Sequence, residues 1–221
     1  MMLKISISPE LKGRVPAVRL FCILASVKVE ETPAALWAAI SAKCQELNER
    51  LQTDEISSMP AIRSSRQAYK ATGKDPARYR LSAEALIRRA VKDKELYRIN
   101  NVVDLLNLVS LSTGFSIGGY DADTIVGDVT MGIGLPDEPY SGIGRGVLNI
   151  EGLPVFRDEQ GAFGSPTSDS ERTSVTGTTT RFLMVIIGFG AEAHLDEAGE
   201  LAVELLGKYA AAGNIETQTI E

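Results

Sequence analysis

An α+β fold is predicted for this 221-residue chain by two contrasting textures. Apolar residues recur at helical spacing through most of the first half, whereas glycine, proline and aspartate break the second half into short β-prone pieces. No repeat, low-complexity tract or linker forces a second domain, so residues 1–221 are read as one.

The elements follow in order. Val18 to Val29 is rich in β-branched and aromatic residues and reads as a strand buried on at least one face. Thr32 is expected to cap a helix with Pro33 at its first position. Leu36, Ile40, Cys44, Leu47 and Leu51 then form one apolar stripe on a helix ending near Gln52. A short basic helix from Pro60 to Thr72 is stopped by Gly73, and Ser82 is expected to cap the next, Ala83 to about Lys92. Asn100 or Asn101 opens a third that ends at Gly114; Val103, Leu105, Leu106, Leu108 and Val109 make it apolar nearly all round, which places it centrally. Strands are then expected at Asp128–Ile133, Gly146–Ile150, Pro154–Arg157, Arg172–Thr176 and Phe182–Ile187. A helix from about Asp196 to Ala211 and a strand from Ile215 to Ile220 close the order.

Composition excludes several classes. Hydrophobic residues at 44% and charged residues at 24% are the ordinary globular profile, which rules out disorder, collagen and coiled coil. No apolar run approaches the roughly 18 residues of a spanning helix, and the start Met1-Met2-Leu3-Lys4-Ile5-Ser6 has no apolar signal core, so a soluble, cytoplasmic protein without a membrane partner is expected. Two cysteines, Cys22 and Cys44, make no disulfide framework and read as reduced, buried thiols. One histidine, His194, and no Cys-x-x-Cys leave no zinc constellation; no metal and no cofactor are expected.

Charge is uneven. Eleven Lys or Arg and four acids lie between Ala61 and Arg98, a local +7 in a chain whose net charge is −6. Such a segment suits an anionic partner, because cations that neutralise phosphates release their counterions; the alternative is a solvated helical face laced with ion pairs.

Chemistry-bearing groups are few. Gly142-Ile143-Gly144-Arg145-Gly146 has the glycine density of a phosphate cradle but the spacing of neither nucleotide motif, and reads as a glycine-rich hairpin or bulge. No Gly-x-Ser-x-Gly elbow accompanies His194. The densest polar stretch, Pro166 to Thr180, carries hydroxyls that can hold a carbonyl, an ammonium or a water, or simply face solvent. Asn100, Asn101, Asp104 and Asn107 form a second polar set, with 100, 104 and 107 on one helical face.

Four segments carry a resemblance: Arg78-Tyr79-Arg80-Leu81-Ser82-Ala83-Glu84-Ala85-Leu86-Ile87-Arg88-Arg89, Arg98 to Asn107, Gly118-Gly119-Tyr120-Asp121-Ala122-Asp123, and Thr173-x-Val175-Thr176 with Thr180. In this order, over roughly residues 60 to 190, they resemble stand-alone B-three/B-four domain proteins, which are similar to the tRNA-editing module in the β subunit of phenylalanyl-tRNA synthetase. The resemblance implies three layers, with helices packed around a mostly antiparallel, sandwich-like sheet. It also implies a pocket between the turn at Gly118 to Asp121 and the hydroxyl turn at Ser168 to Thr176.

On that resemblance, the pocket residues are Asn101, Asp104, Gly118, Gly119, Tyr120, Asp121, Ser168, Ser170, Thr173 and Thr176. Arg63, Arg66, Arg88 and Arg89 are the expected tRNA phosphate contacts; no catalytic residue is assigned. The implied partner is tRNA or aminoacyl-tRNA, with an amino acid as a possible small ligand. The implied activity is hydrolysis of a mischarged aromatic aminoacyl ester in trans, which needs a positioned water and a stabilised oxyanion. Two departures favour a rival, a non-catalytic binder of an amino acid, small metabolite or tRNA. The synthetase module's His-Ala-Phe-Asp is Gly118-Gly119-Tyr120-Asp121 here, and its acid on the following strand falls near Ile186. The synthetase's ligase activity is excluded, since the resemblance covers the editing module alone.

Overall fold

The computed structural model describes residues 2–190 and 194–221, which leaves Met1 of the opening hexapeptide outside. It is an α+β architecture of three layers, helices on one sheet and that sheet on a second. The inner sheet orders β10 (Gly213–Ile220), β2 (Arg19–Ser26), β9 (Arg181–Gly188) and β3 (Ser116–Asp121), all antiparallel. The outer sheet orders β1 (Ile5–Ile7), β4 (Val129–Ile133), β7 (Pro154–Asp158) and β8 (Gly161–Gly164), with β1 and β4 parallel. A small hairpin, β5 (Ser141–Gly142) with β6 (Gly146–Val147), belongs to neither sheet and bridges Ser170 through Gly142.

Strand alternation builds two cores from one sheet. On β2, Leu20, Cys22 and Leu24 face the outer sheet and meet Met131, Phe156 and Phe163, while Ile23 and Ala25 face the helices. On β9, Leu183, Val185 and Ile187 join the inter-sheet core, and Phe182, Met184 and Ile186 the helix-side core. A strand covered on both faces reads as a continuous apolar run, which is why Phe182 to Ile187 is legible. Cys22 and Cys44 are free thiols, the first buried and pushed up to about 12 by desolvation, the second half-buried.

The helix-side layer holds α2 (Ala34–Arg50), α4 (Ser82–Val91), α5 (Asn101–Thr113) and α6 (Leu195–Tyr209). As its composition requires, α5 is central: the Asn100 side chain accepts from the Val103 amide, and Gly114 ends the helix in the left-handed region. Two expected caps differ. Pro33 precedes α2 with no side-chain cap, because the Thr32 hydroxyl donates instead to Asp104; α4 starts at Ser82 itself, behind an uncapped Leu81. Short elements absent from the sequence reading are β1, α1 (Pro9–Arg14), β3 and β8. The expected strand Arg172–Thr176 is a 3-10 turn at Glu171–Thr173, and Gly146–Ile150 shortens to β6. No helix among the described residues is long and apolar enough to cross a membrane.

The basic segment Ala61–Arg98 spans α3 (Pro60–Ala71), the following loop and α4, and its charges are partly internal. Glu84 is 1% exposed and accepts from Arg66 at 2.9 Å and Arg88 at 3.1 Å. Those two arginines are therefore held as a structural cluster around Glu84, which offsets one of their two charges, because a buried carboxylate needs its cations. Replacing Glu84 by alanine should lower unfolding free energy by about 3–5 kcal/mol, the penalty for stranding a partly buried charge. Urea denaturation measures it, and a loss below about 1 kcal/mol would refute the reading.

Candidate functional site

The loop after β8 is tied before it reaches the site. Ser165 Oγ donates to Ser168 O at 2.8 Å and accepts from the Thr167 and Ser168 amides; Tyr140 Oη donates to Ser168 O at 2.6 Å. Tyr69 Oη and Thr167 Oγ1 lie 2.8 Å apart, and the Ser82 amide donates to Pro166 O. At the other end, Arg172 places both terminal guanidinium nitrogens on Asp158, at 2.8 and 2.9 Å, in a two-pronged pair. Burial opposes charge on Asp158, but Arg172 and the Val126 and Gln160 amides hold its carboxyl below the usual range.

This fastening places Asp169 in the lining of a cleft of about 540 Å³ between α4, α5, β3 and the 165–175 loop. Tyr120 Oη donates to Asp169 Oδ1 at 2.9 Å, and the Gly119 amide donates to Oδ2 at 3.4 Å. Burial pushes the Asp169 carboxyl up to about 7, against these donors and the Ser165 amide, which all favour the anion. Around neutrality the group therefore exists in both forms.

Leu86, Ile99, Val103, Leu106, Ile117 and Val175 give the cleft an apolar wall; Asn107, Ser168 and Ser174 add polar atoms. Two arginines complete it. Arg89 lies with its guanidinium 4.6 Å over the Tyr97 ring, donates to Glu95 O at 2.5 Å, and keeps a buried Nε without a hydrogen-bond partner. Arg145 comes from the β5–β6 hairpin, whose tip also lines the cleft with Ile143. Positive φ at Gly144 and Gly146 lets the hairpin fold tightly, and the Ile143 amide bonded to Asp169 O fixes it over the site.

Of the pocket residues expected from sequence, Gly119 and Ser168 line the cleft. Asn101 and Asp104 do not. Asn101 is buried and joins Glu30 N, Lys28 O and Tyr209 O, while Asp104 accepts from Thr32 and the Ile99 amide; both fasten chain segments to α5. Gly118 and Tyr120 share the opposite face of β3 from Gly119 and lie against the inter-sheet core, so Tyr120 reaches the site only through its bond to Asp169. Asp121 accepts from Thr179 Oγ1 at the end of β3. Ser170 caps the 3-10 turn through the Arg172 amide, Thr173 is fully buried, and Thr176 bonds Thr178 and Thr179 away from the cleft. Among the arginines, Arg89 lines the cleft, Arg66 and Arg88 serve Glu84, and Arg63 is exposed elsewhere.

Asp169, Ser174, Val175 and Arg145 are among the lining residues not selected from the sequence. All four lie inside stretches the sequence marks as polar or glycine-rich, but only the fold shows which side chains turn inward. His194 pairs with Glu197 at the start of α6, outside the cleft, and Ile186 is buried in the helix-side core. Among the described residues no group of three or more His, Cys, Asp or Glu is placed to hold a metal.

Comparison with known proteins agrees with this architecture. The family model described as the B3/4 domain matches residues 64–205. Over 87 residues the chain is 31% identical to the phenylalanine–tRNA ligase β subunit of Psychrobacter arcticus, a stretch covering 38% of this chain and 11% of that subunit. An N-terminal fragment of the phenylalanyl-tRNA synthetase β-subunit from Pyrococcus horikoshii matches 100% of this chain and 51% of its own length, with a TM-score of 0.51 and 14% identity, a likeness of fold alone. This chain thus spans about half of that fragment and a small part of the ligase subunit. With more than half its length matched, and with sequence kinship to a tRNA-synthetase subunit, the chain belongs to the B3/4 domain family.

Proposed function

We propose that residues 1–221 act as one stand-alone cytoplasmic module that binds the aminoacyl end of charged tRNA and hydrolyses a mischarged aromatic ester in trans. The observation that carries this is the meeting, in one cleft of about 540 Å³, of an apolar wall, Asp169 on its floor and Arg89 and Arg145 beside it. An aromatic side chain suits the apolar wall, and an arginine suits the terminal phosphate. Asp169, ionised for part of the time at neutral pH, accepts a proton from water as it attacks the ester carbon. Electrons pass from that water oxygen to the ester carbon and the carbonyl oxygen becomes an oxyanion; its collapse restores the carbonyl and breaks the bond to the ribose oxygen, which takes up the proton that Asp169 received. Arg89, whose buried Nε has no hydrogen-bond partner, is the donor available to the oxyanion, which leaves Arg145 for the phosphate; the Ser174 hydroxyl is committed to Glu171 O.

Release of amino acid from tyrosyl-tRNA and phenylalanyl-tRNA tests the reading. The intact protein should exceed the uncatalysed rate on at least one, and Asp169→Asn should lose about 10²-fold or more, the usual contribution of a general base. No release by the intact protein would remove hydrolysis. A non-catalytic binder remains the second reading, because glycine and isoleucine stand at positions 118 and 186 where the synthetase module carries its histidine and acid. Saturable binding of an amino acid without turnover would establish it.

A further inference from the structure

Beside the cleft, across a wall built from Arg145, Ser165 and Thr167, lies a second cavity of about 170 Å³. Its apolar half is Tyr79, Leu148, Ile150 and Leu153; its other half carries Arg78, Arg80 and Arg145, with no carboxylate in the lining. Lys74 stands close by, its Nζ 4.3 Å over the Tyr79 ring, with the Arg78 guanidinium 5.9 Å from the same ring. None of these four cations forms an ion pair among the described residues, although the chain as a whole is acidic. That contrasts with Arg66 and Arg88, which share the single carboxylate of Glu84.

The loop that presents Arg78 and Arg80 is also fixed in place. The Lys74 amide donates to Tyr69 O, the Arg78 and Tyr79 amides to Asp75 O, and Leu81 is buried just before α4. Concave, acid-free and half apolar, the cavity matches a ligand with a flat ring at one end and phosphate at the other. A cavity of about 150 Å³ holds one benzene-sized ring, so the space admits a single base. Arginine's planar fork suits phosphate oxygens in pairs.

We propose that this cavity seats one unpaired nucleotide of an RNA strand, its base against Tyr79 and Leu148 and its phosphates on Arg78, Arg80 and Arg145. A strand, rather than a free mononucleotide, follows from the shared Arg145 wall, which lets one backbone run from this cavity to the cleft. The choice of RNA rests on the function proposed above; the cavity's affinity for a nucleotide does not need hydrolysis to occur.

An uncharged, fluorescein-labelled single-stranded tetraribonucleotide, titrated by anisotropy at several salt concentrations, tests it without any aminoacyl ester. Arg78→Ala/Arg80→Ala should weaken binding about 10-fold or more at low salt and flatten the slope of log K against log salt by about 1.4, two cations at roughly 0.7 each on single strands. Both side chains are exposed, so the variant should fold, which circular dichroism checks. Asp169→Asn should bind the tetranucleotide like the unaltered protein while losing ester release, which separates failure of this site from failure of the hydrolytic reading. Unchanged affinity in the double arginine variant overturns the site. Cytidine monophosphate binding as tightly as the strand overturns the strand, and displacement by inorganic pyrophosphate at equal affinity overturns the base pocket.

Discussion

Substituting alanine for Gly118 should destabilise the protein by about 3 kcal/mol or more, the upper part of the range for overpacking a filled core. The added Cβ would lie 2.0 Å from Tyr120 Oη and 2.5 Å from its Cζ, far inside contact distance. Tyr120 has nowhere to go. A Cβ at Gly164 would fall 2.1 Å from the same oxygen, so the phenol tip sits in a slot between two glycines. Its ring is packed edge-on to Phe156 and Phe163 at centroid distances of 6.0 and 5.0 Å, and its hydroxyl is committed to Asp169.

The same geometry leaves no room for a side chain at position 118 of this chain. Where the family pattern pairs histidine with phenylalanine two residues later, this chain pairs Gly118 with Tyr120, and the tyrosine hydroxyl fills the space where a side chain at 118 would begin. Gly118→His should therefore fail to fold cooperatively rather than restore a catalytic imidazole. In a Tyr120→Phe background the nearest atom recedes from 2.0 to 2.5 Å, so Gly118→Ala should cost about 1 kcal/mol less there than in the native sequence. Urea denaturation of the four proteins in that cycle gives the coupling. Equal costs in both backgrounds would show that the hydroxyl is not the obstacle.

Local rules made some of this molecule readable and hid the rest for identifiable reasons. The central helix was legible because its signals are local: Asn100 caps one end, Gly114 closes the other, and its apolar surround requires burial. Strand β3 was not, because Gly118 and Gly119 resemble a turn; their role depends on Tyr120 on one face and Leu106 on the other, whose Cδ1 lies 2.7 Å from a Cβ built at Gly119. Around Thr173 the β-branched composition indicates a strand, but the Ser170 cap and the Arg172–Asp158 fork impose a 3-10 turn. The polar set at the start of α5 and the family resemblance likewise pointed to Asn101 and Asp104, since a pattern cannot distinguish a side chain turned to a cleft from one fastening a distant loop. Asp169 depends on Tyr120, 49 residues away, so its environment is a product of the assembled sheet.

The cleft's chemistry and the protein's stability should respond oppositely to pH, and both through Asp169. Its carboxyl titrates at about 7 in the folded chain, against about 3.9 when unfolded. Between these values the folded state binds more protons than the unfolded state, so stability declines as pH rises from about 4 to 7 and is flat above. The span sets an upper bound of about 4 kcal/mol, and the group's partial exposure to the cleft makes about 2 kcal/mol the practical expectation. Asp169→Asn removes that ionisation, so the stability difference between native protein and variant, followed by urea denaturation from pH 4.5 to 8, should change by this amount and level off near 7. Ester release runs the other way, because the base acts ionised: after subtraction of the uncatalysed rate, activity should climb through an inflection near 7 that Asp169→Asn abolishes. A pH-independent stability difference would show that Asp169 titrates as an ordinary carboxylate. An inflection surviving in Asp169→Asn would move the base elsewhere in the cleft.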